Sequence, residues 1–227
     1  MPAGYFTSVP ASTSYKQNPC SPGAYCPAGS TSGTANLCPA GTYRTLTGGT
    51  AVTDCAQCPT GHYCPPQNVE PYQCPLGYYC PNGIEDPLPC PIGTFGASLG
   101  LRSLAECTPC WSGRYCSQTG LSMPDGLCDP GFYCISGAYT AAPTDGVTGN
   151  VCPAGGFCVK GSSYAKNCPA GYYNPTPGKS KASDCILCPA GKYCSGSNTA
   201  SPAAPTGSCF AGYYCTSGAT VPTQFTA

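Results

Sequence analysis

The sequence predicts small disulfide-rich repeats, an elongated rod of short two-stranded β ribbons and loops with little or no helix. Three observations carry this. Leu, Ile, Val and Phe supply only 27 of 227 residues, too few for an ordinary core. Cysteine supplies 22, so covalent links are expected to stand in for buried apolar area. A seven-residue unit, C-x-x-G-x-[Tyr/Phe]-C, recurs eight times with invariant spacing.

The short units are Cys20/Cys26, Cys58/Cys64, Cys74/Cys80, Cys110/Cys116, Cys128/Cys134, Cys152/Cys158, Cys188/Cys194 and Cys209/Cys215. The other six cysteines follow a second rule: C-P-x-G-x-[Tyr/Phe] runs on for 16 residues to C-x2-C and then into a short unit. These longer openings begin at Cys38, Cys90 and Cys168 and reach Cys55, Cys107 and Cys185. The N-terminus reads as a fourth long unit one residue shorter, with Met1 and Gln17 at the two cysteine positions. Joint loss is what a bond between those positions predicts. The expected domains are 1–37, a degenerate long repeat plus a short unit; 38–89, a long repeat plus short unit; 90–167, a long repeat plus two short units; and 168–227, a long repeat plus short unit and tail.

Within C-P-x-G, Pro at the second position and Gly at the fourth predict a type I turn. The following aromatic is expected in a short strand whose partner lies beyond turn signals such as Thr47-Gly48-Gly49-Thr50. No segment has helical periodicity, Leu99–Ala105 coming nearest. Stretches rich in Pro, Thr, Ser and Ala read as spacers.

Two pairing schemes leave no cysteine over. One crosses neighbouring units almost throughout, joining for instance Cys20 to Cys38, Cys26 to Cys55, Cys152 to Cys168 and Cys158 to Cys185. The favoured one closes the long loops as Cys38–Cys55, Cys90–Cys107 and Cys168–Cys185 and pairs Cys20–Cys26 and Cys152–Cys158 locally. It crosses the remaining units as Cys58–Cys74, Cys64–Cys80, Cys110–Cys128, Cys116–Cys134, Cys188–Cys209 and Cys194–Cys215. Either way, reduction is expected to unfold the chain.

Cysteine at this density requires an oxidising compartment, so the protein is expected to be secreted, extracellular or on a cell or flagellar surface. The start, Met1-Pro-Ala-Gly-Tyr-Phe, lacks signal-peptide character, and the chain is expected to be a mature product or fragment. Nine basic and nine acidic residues leave no basic stripe, which argues against nucleic acid and anionic lipid, and no apolar run could span a membrane.

Catalysis finds no foothold in the residues. His62 is the single histidine, two residues before Cys64, and Cys64 fills a repeat position occupied elsewhere without histidine. Zinc at the C-x2-C pairs would need a reducing setting, so neither metal nor cofactor is expected. The unit aromatics Tyr25, Tyr63, Tyr79, Tyr115, Tyr133, Phe157, Tyr193 and Tyr214 are each expected to cover their own disulfide rather than form a sugar-stacking ladder. Tyr78, Phe132, Tyr213 and Trp111 are candidate interface residues. Thr199, Ser201 and Thr206 are candidate O-glycosylation sites on composition.

The segment from Cys90-Pro-Ile-Gly-Thr-Phe to Cys107-Thr-Pro-Cys110 resembles the ephrin-receptor-like cysteine-rich repeat, related in style to tumour necrosis factor receptor cysteine-rich domains. The likeness covers nearly the whole chain and departs from the receptor pattern in the short units. It is similar to repeats of protist and algal extracellular proteins such as mastigoneme components, and implies a non-enzymatic structural protein. The expected role is subunit of a filament, sheath or surface appendage, partnered by copies of itself and in contact with carbohydrate. A ligand-binding or adhesion ectodomain of a cysteine-rich receptor is the alternative.

Overall fold

A computed structural model describes residues 1–8, 18–196 and 203–226. The described residues form eleven two-stranded sheets, three single turns of 3-10 helix and connecting turns. All 22 cysteines are bridged. Disulfide-rich ribbon repeats are therefore the fold.

One rule generates every ribbon. The two residues after an opening's glycine pair with the residues four and five before the next opening's glycine. Arg114 and Tyr115, after Gly113, pair antiparallel with Leu127 and Gly126, before Gly131. Thr42–Tyr43 and Ala56–Gln57 do the same ahead of Gly61, and after Gly212 the two residues Tyr213–Tyr214 pair antiparallel with Phe225–Thr226. The cysteine-free N-terminal opening obeys the rule through a bridge from Tyr5 to Pro19.

The turn lies one residue later than the sequence suggested. The hydrogen bonds run from the amide after the glycine to the carbonyl of the residue after the cysteine, as in Thr42 to Pro39 (3.1 Å) and His62 to Pro59 (3.1 Å). Proline therefore occupies the first turn position and Gly41 the third, with φ +75°. Positive φ there defines a type II turn, which glycine enters without strain.

Pairing also differs from the favoured scheme. The expected bonds Cys38–Cys55, Cys90–Cys107, Cys168–Cys185, Cys20–Cys26 and Cys152–Cys158 are present. The crossed pairs are not. Cys58 bonds to Cys64 instead of Cys74, and Cys74 bonds to Cys80. Cys110 bonds to Cys116 instead of Cys128, so that Cys116 is not joined to Cys134, whose partner is Cys128. Cys188 bonds to Cys194 and Cys209 to Cys215, in place of Cys188–Cys209 and Cys194–Cys215. The fully crossed scheme also fails at Cys158, which bonds to Cys152 while Cys185 closes on Cys168.

The turn is the reason for both corrections. Folding P-x-G-x back on itself brings the flanking cysteines to Cα separations of 5.9 Å for Cys110 and Cys116 and 5.7 Å for Cys152 and Cys158, well inside disulfide reach. No bridge links one opening to the next.

Backbone hydrogen bonds make that connection. Each opening's glycine N–H donates to the carbonyl three residues past the next glycine, and its C=O accepts the amide three residues before that glycine. Gly61 thus donates to Cys80 (2.8 Å) and accepts from Cys74 (2.9 Å). Two more bonds reach the loop beyond the next opening, Gly100 to Cys74 (2.8 Å) and Cys80 to Leu101 (2.9 Å).

The chain forms two compact units. Unit 1 comprises Met1–Pro91, Phe95–Thr108 and Thr119–Met123. Unit 2 comprises Ile92–Thr94, Pro109–Gln118 and Pro124–Ala227. The backbone ladder recurs inside each, from Gly4 to Gly77 in unit 1 and from Gly93 to Gly212 in unit 2. The buried apolar residues are almost all cysteines, with Phe95 the largest side chain among them.

Candidate functional site

The core is a series of small sulfur-and-ring clusters. Phe6, two residues after Gly4, packs on Cys20, Ala24 and Cys26, and Tyr115 packs on Cys128, Cys134 and Ala138. In both cases the ring lies on the bridge of the following opening. For Tyr115 this corrects the expectation that it covers its own bridge, Cys110–Cys116. The antiparallel pairing sends the aromatic forward, so each ring adds an apolar contact to a joint made by backbone bonds. Elsewhere the ring meets its cross-strand neighbour: Tyr63 and Tyr72 lie 5.5 Å apart, and Tyr214 stacks on Phe225 at 5.3 Å.

Where an opening lacks its second cysteine, another residue fills the place. Arg44 reaches the carbonyls of Asp54 (2.9 Å) and Thr47 (3.2 Å), while its buried Nε has no hydrogen-bond partner among the described residues. Gly96 donates its amide to Leu121 at 2.8 Å. Asn174, fully buried, donates from Nδ2 to Gly156 (2.7 Å) and accepts the Thr176 amide at Oδ1 (3.1 Å). The freed cysteine of each long opening bonds instead to the one 17 residues on.

The residue before that closing cysteine is acidic each time, and the sequence reading overlooked it. Asp54 Oδ2 accepts from the Thr50 amide (2.7 Å) and hydroxyl (2.8 Å) and the Ala51 amide (3.3 Å). Glu106 Oε2 accepts from the Arg102 amide (2.7 Å), and Asp184 Oδ2 from the amides of Ser180 (3.0 Å) and Lys181 (3.1 Å). These carboxylates tie off the single 3-10 turns at Val52–Asp54, Leu104–Glu106 and Ala182–Asp184. The Thr50 amide and hydroxyl hold the Asp54 carboxyl below its ordinary pKa, and the Ser180 amide does so for Asp184. The signal was legible as Asp-Cys, Glu-Cys and Asp-Cys at one fixed place in the long units.

The predicted interface residues are scattered through the fold. Trp111 stands in the first turn position, 55% exposed, its carbonyl taking the Arg114 amide at 2.9 Å. Tyr78 and Phe132 are half-buried in their ribbons, opposite Pro89 and Val151. Tyr213 is exposed beside Tyr214. Of the glycan candidates, Thr206 is exposed and its Oγ1 accepts the Ser195 amide (3.1 Å), while Thr199 and Ser201 lie outside the described residues.

A cavity of about 180 Å³ lies among Tyr43, Arg44, Thr45, Leu46, Asp54 and Ala56, where Arg44 and Asp54 are already engaged in closing the loop. The His62 ring lies 3.4 Å from the Thr60 carbonyl, and its would-be nucleophile Cys64 is bonded to Cys58. Among the described residues no three His, Cys, Asp or Glu side chains could hold a metal, and no helix is long and apolar enough to cross a membrane.

Fold and surface together define a cysteine-rich repeat protein whose bridges form in an oxidising compartment, as in secreted and extracellular proteins. No protein-family model and no curated protein matches the chain.

Proposed function

We propose that this chain is a non-enzymatic extracellular structural protein, a subunit of a filament, sheath or cell-surface or flagellar appendage that associates with copies of itself. The observation that carries the reading is the joint between openings. It is built from backbone groups and repeats with little regard to side-chain identity, so an array can be extended by any further opening of the same form. The ephrin-receptor-like resemblance and the neutral, weakly charged surface support the same role. Concentration-dependent association of the non-reduced protein, with fibres in electron micrographs, is the expected result. A chain that stays monomeric and fibre-free at high concentration would remove the proposal.

A second reading, a ligand-binding or adhesion ectodomain, draws on the exposed indole of Trp111. Loss of binding to native extracellular material on Trp111→Ala, with assembly unchanged, would favour it. O-linked sugar at Thr206 fits either role, and an intact mass of 23.0 kDa, that of the bare polypeptide, would remove it.

A further inference from the structure

Within unit 1, the loop that follows the Cys74–Cys80 opening folds back on two earlier openings. The Gly83 amide donates to the Cys58 carbonyl (2.8 Å), and the Cys64 amide donates to Ile84 (3.0 Å). Gly83 also lies against Gly41, where a Cβ would collide with the Gly83 carbonyl oxygen. Asn82, exposed beside it, donates from Nδ2 to Gln57 Oε1 at 2.9 Å.

Asn82 is the single asparagine in the sequence that is followed by glycine. Such a pair is chemically labile, because the glycine nitrogen has no Cβ beside it to hinder its approach to the asparagine side chain. The Gly83 nitrogen bonds to Asn82 Cγ and gives up its proton, and the Cγ–Nδ2 bond breaks as that proton leaves with Nδ2 in ammonia. Water then opens the cyclic imide at one carbonyl or the other, giving aspartate or isoaspartate. Water is the only co-reactant.

We propose that Asn82 is a site of spontaneous deamidation whose rate is set by how often the Gly83 loop lifts from Cys58 and Gly41. Seated, the loop withholds both reactants: the nitrogen is held on the Cys58 carbonyl and the side-chain amide on Gln57. Reaction therefore proceeds from the open population, as amide exchange does. The two products differ in what they leave behind. Aspartate keeps the backbone intact, and Gln57 can turn its amide to donate to the new carboxylate. Isoaspartate adds a methylene to the backbone between Asn82 and Gly83, which takes Gly83 and Ile84 out of register with Cys58 and Cys64. The modification is thus a lasting record of loop opening, and it is independent of the assembly reading above.

The test follows Asn82 by peptide mapping of the 227-residue chain in mildly alkaline buffer, non-reduced against reduced and alkylated. Deamidation of the non-reduced chain is expected to be slower by about tenfold or more, and the slowing should match the protection of the Gly83 amide against hydrogen exchange to within about threefold. Gly41→Ala, whose methyl group pushes on the Gly83 carbonyl, should quicken deamidation while the Gly171 amide in unit 2 keeps its protection. The comparison with exchange needs no variant and stands if Gly41→Ala does not fold. Equal rates in the non-reduced and alkylated chains, or no reaction in the alkylated chain, would overturn the proposal. A folded Gly41→Ala chain that deamidates at the unchanged rate, or slowing that departs from the Gly83 protection by about tenfold, would show that this loop is not the gate.

Discussion

Gly61 lies against the carbonyl oxygen of Gly100, so close that a Cβ on it would stand 2.7 Å from that oxygen. Gly191 has nearly the same backbone, φ +80° against +79°, with open space beside it. The pair separates two costs that usually travel together. Alanine at either position incurs roughly 1 to 2 kcal/mol for the left-handed conformation. Only Gly61→Ala also forces two backbones apart, and it is expected to be the more destabilising by about 1 to 3 kcal/mol in denaturant unfolding of the non-reduced protein.

Bridges confined to single openings make a direct prediction for peptide mapping. Cleavage of the non-reduced chain between openings should release each short unit with its own bridge, and no fragment should join Cys58 to Cys74, Cys110 to Cys128 or Cys116 to Cys134. A fragment crossing two short units, or one holding Cys158 to Cys185, would contradict the local pairing. In the chain-entropy account a seven-residue loop is worth roughly 2 kcal/mol and an eighteen-residue loop about 3 kcal/mol. Removing Cys38 and Cys55 together should therefore cost somewhat more than removing Cys58 and Cys64, and full reduction should abolish the near-ultraviolet signal of the tyrosines.

Tyr115 contributes to the joint between its opening and the next. Tyr115→Ala removes a half-buried ring from Cys128, Cys134 and Ala138, a loss of about 2 kcal/mol on apolar area. Exchange of the Gly113 amide, which donates to Cys134 at 2.8 Å, should quicken, while that of Gly41 should not. Equal quickening at both would mean that the effect is global and that the ring is not a local clamp.

Asn174 fills the place of a cysteine with two hydrogen bonds from a fully buried side chain. Asn174→Ala leaves the Gly156 carbonyl without its donor and is expected to destabilise unit 2 by about 1 to 3 kcal/mol. Thermal unfolding under non-reducing conditions measures it. No change would show that water replaces the amide without penalty.

The loop-closing carboxylates set a pH dependence of definite sign. Asp54 and Asp184 have pKa values below the ordinary aspartate value when folded, so the unfolded chain binds their protons first. Their stabilising effect is present above the ordinary aspartate pKa and is lost as pH falls through the lower, folded value. Acid should therefore quicken exchange of the Thr50 and Ser180 amides, which donate to these carboxylates, with the disulfides keeping the rest in place. Asp54→Asn should remove most of the pH response at Thr50.

The repeat itself was written in the residues. Invariant spacing in units such as Cys58-Pro-Thr-Gly-His-Tyr-Cys64 gave the ribbons, the scarcity of helix among the described residues and the dependence on sulfur. The coincidence of Met1 with Gln17 pointed to closure of the long loops, and Cys38–Cys55 closes in that way. The acidic residue ahead of Cys55, Cys107 and Cys185 was equally visible, since a fixed residue type at a fixed place in a loop signals a fixed hydrogen bond.

Amino-acid order by itself determined where the chain turns, which segments extend and that every cysteine has a partner, because spacing and turn chemistry act over a few residues. Tertiary structure alone decided the frame of the turn, the local closure of Cys58 with Cys64 and of Cys110 with Cys116, and the reach of Tyr115 onto the following bridge. Several pairings satisfy the same spacing, and the choice among them falls to which sulfur atoms the folded backbone brings together. The packing of Gly61 on Gly100 belongs to the same class, since two residues so far apart in sequence meet only when the intervening openings have stacked.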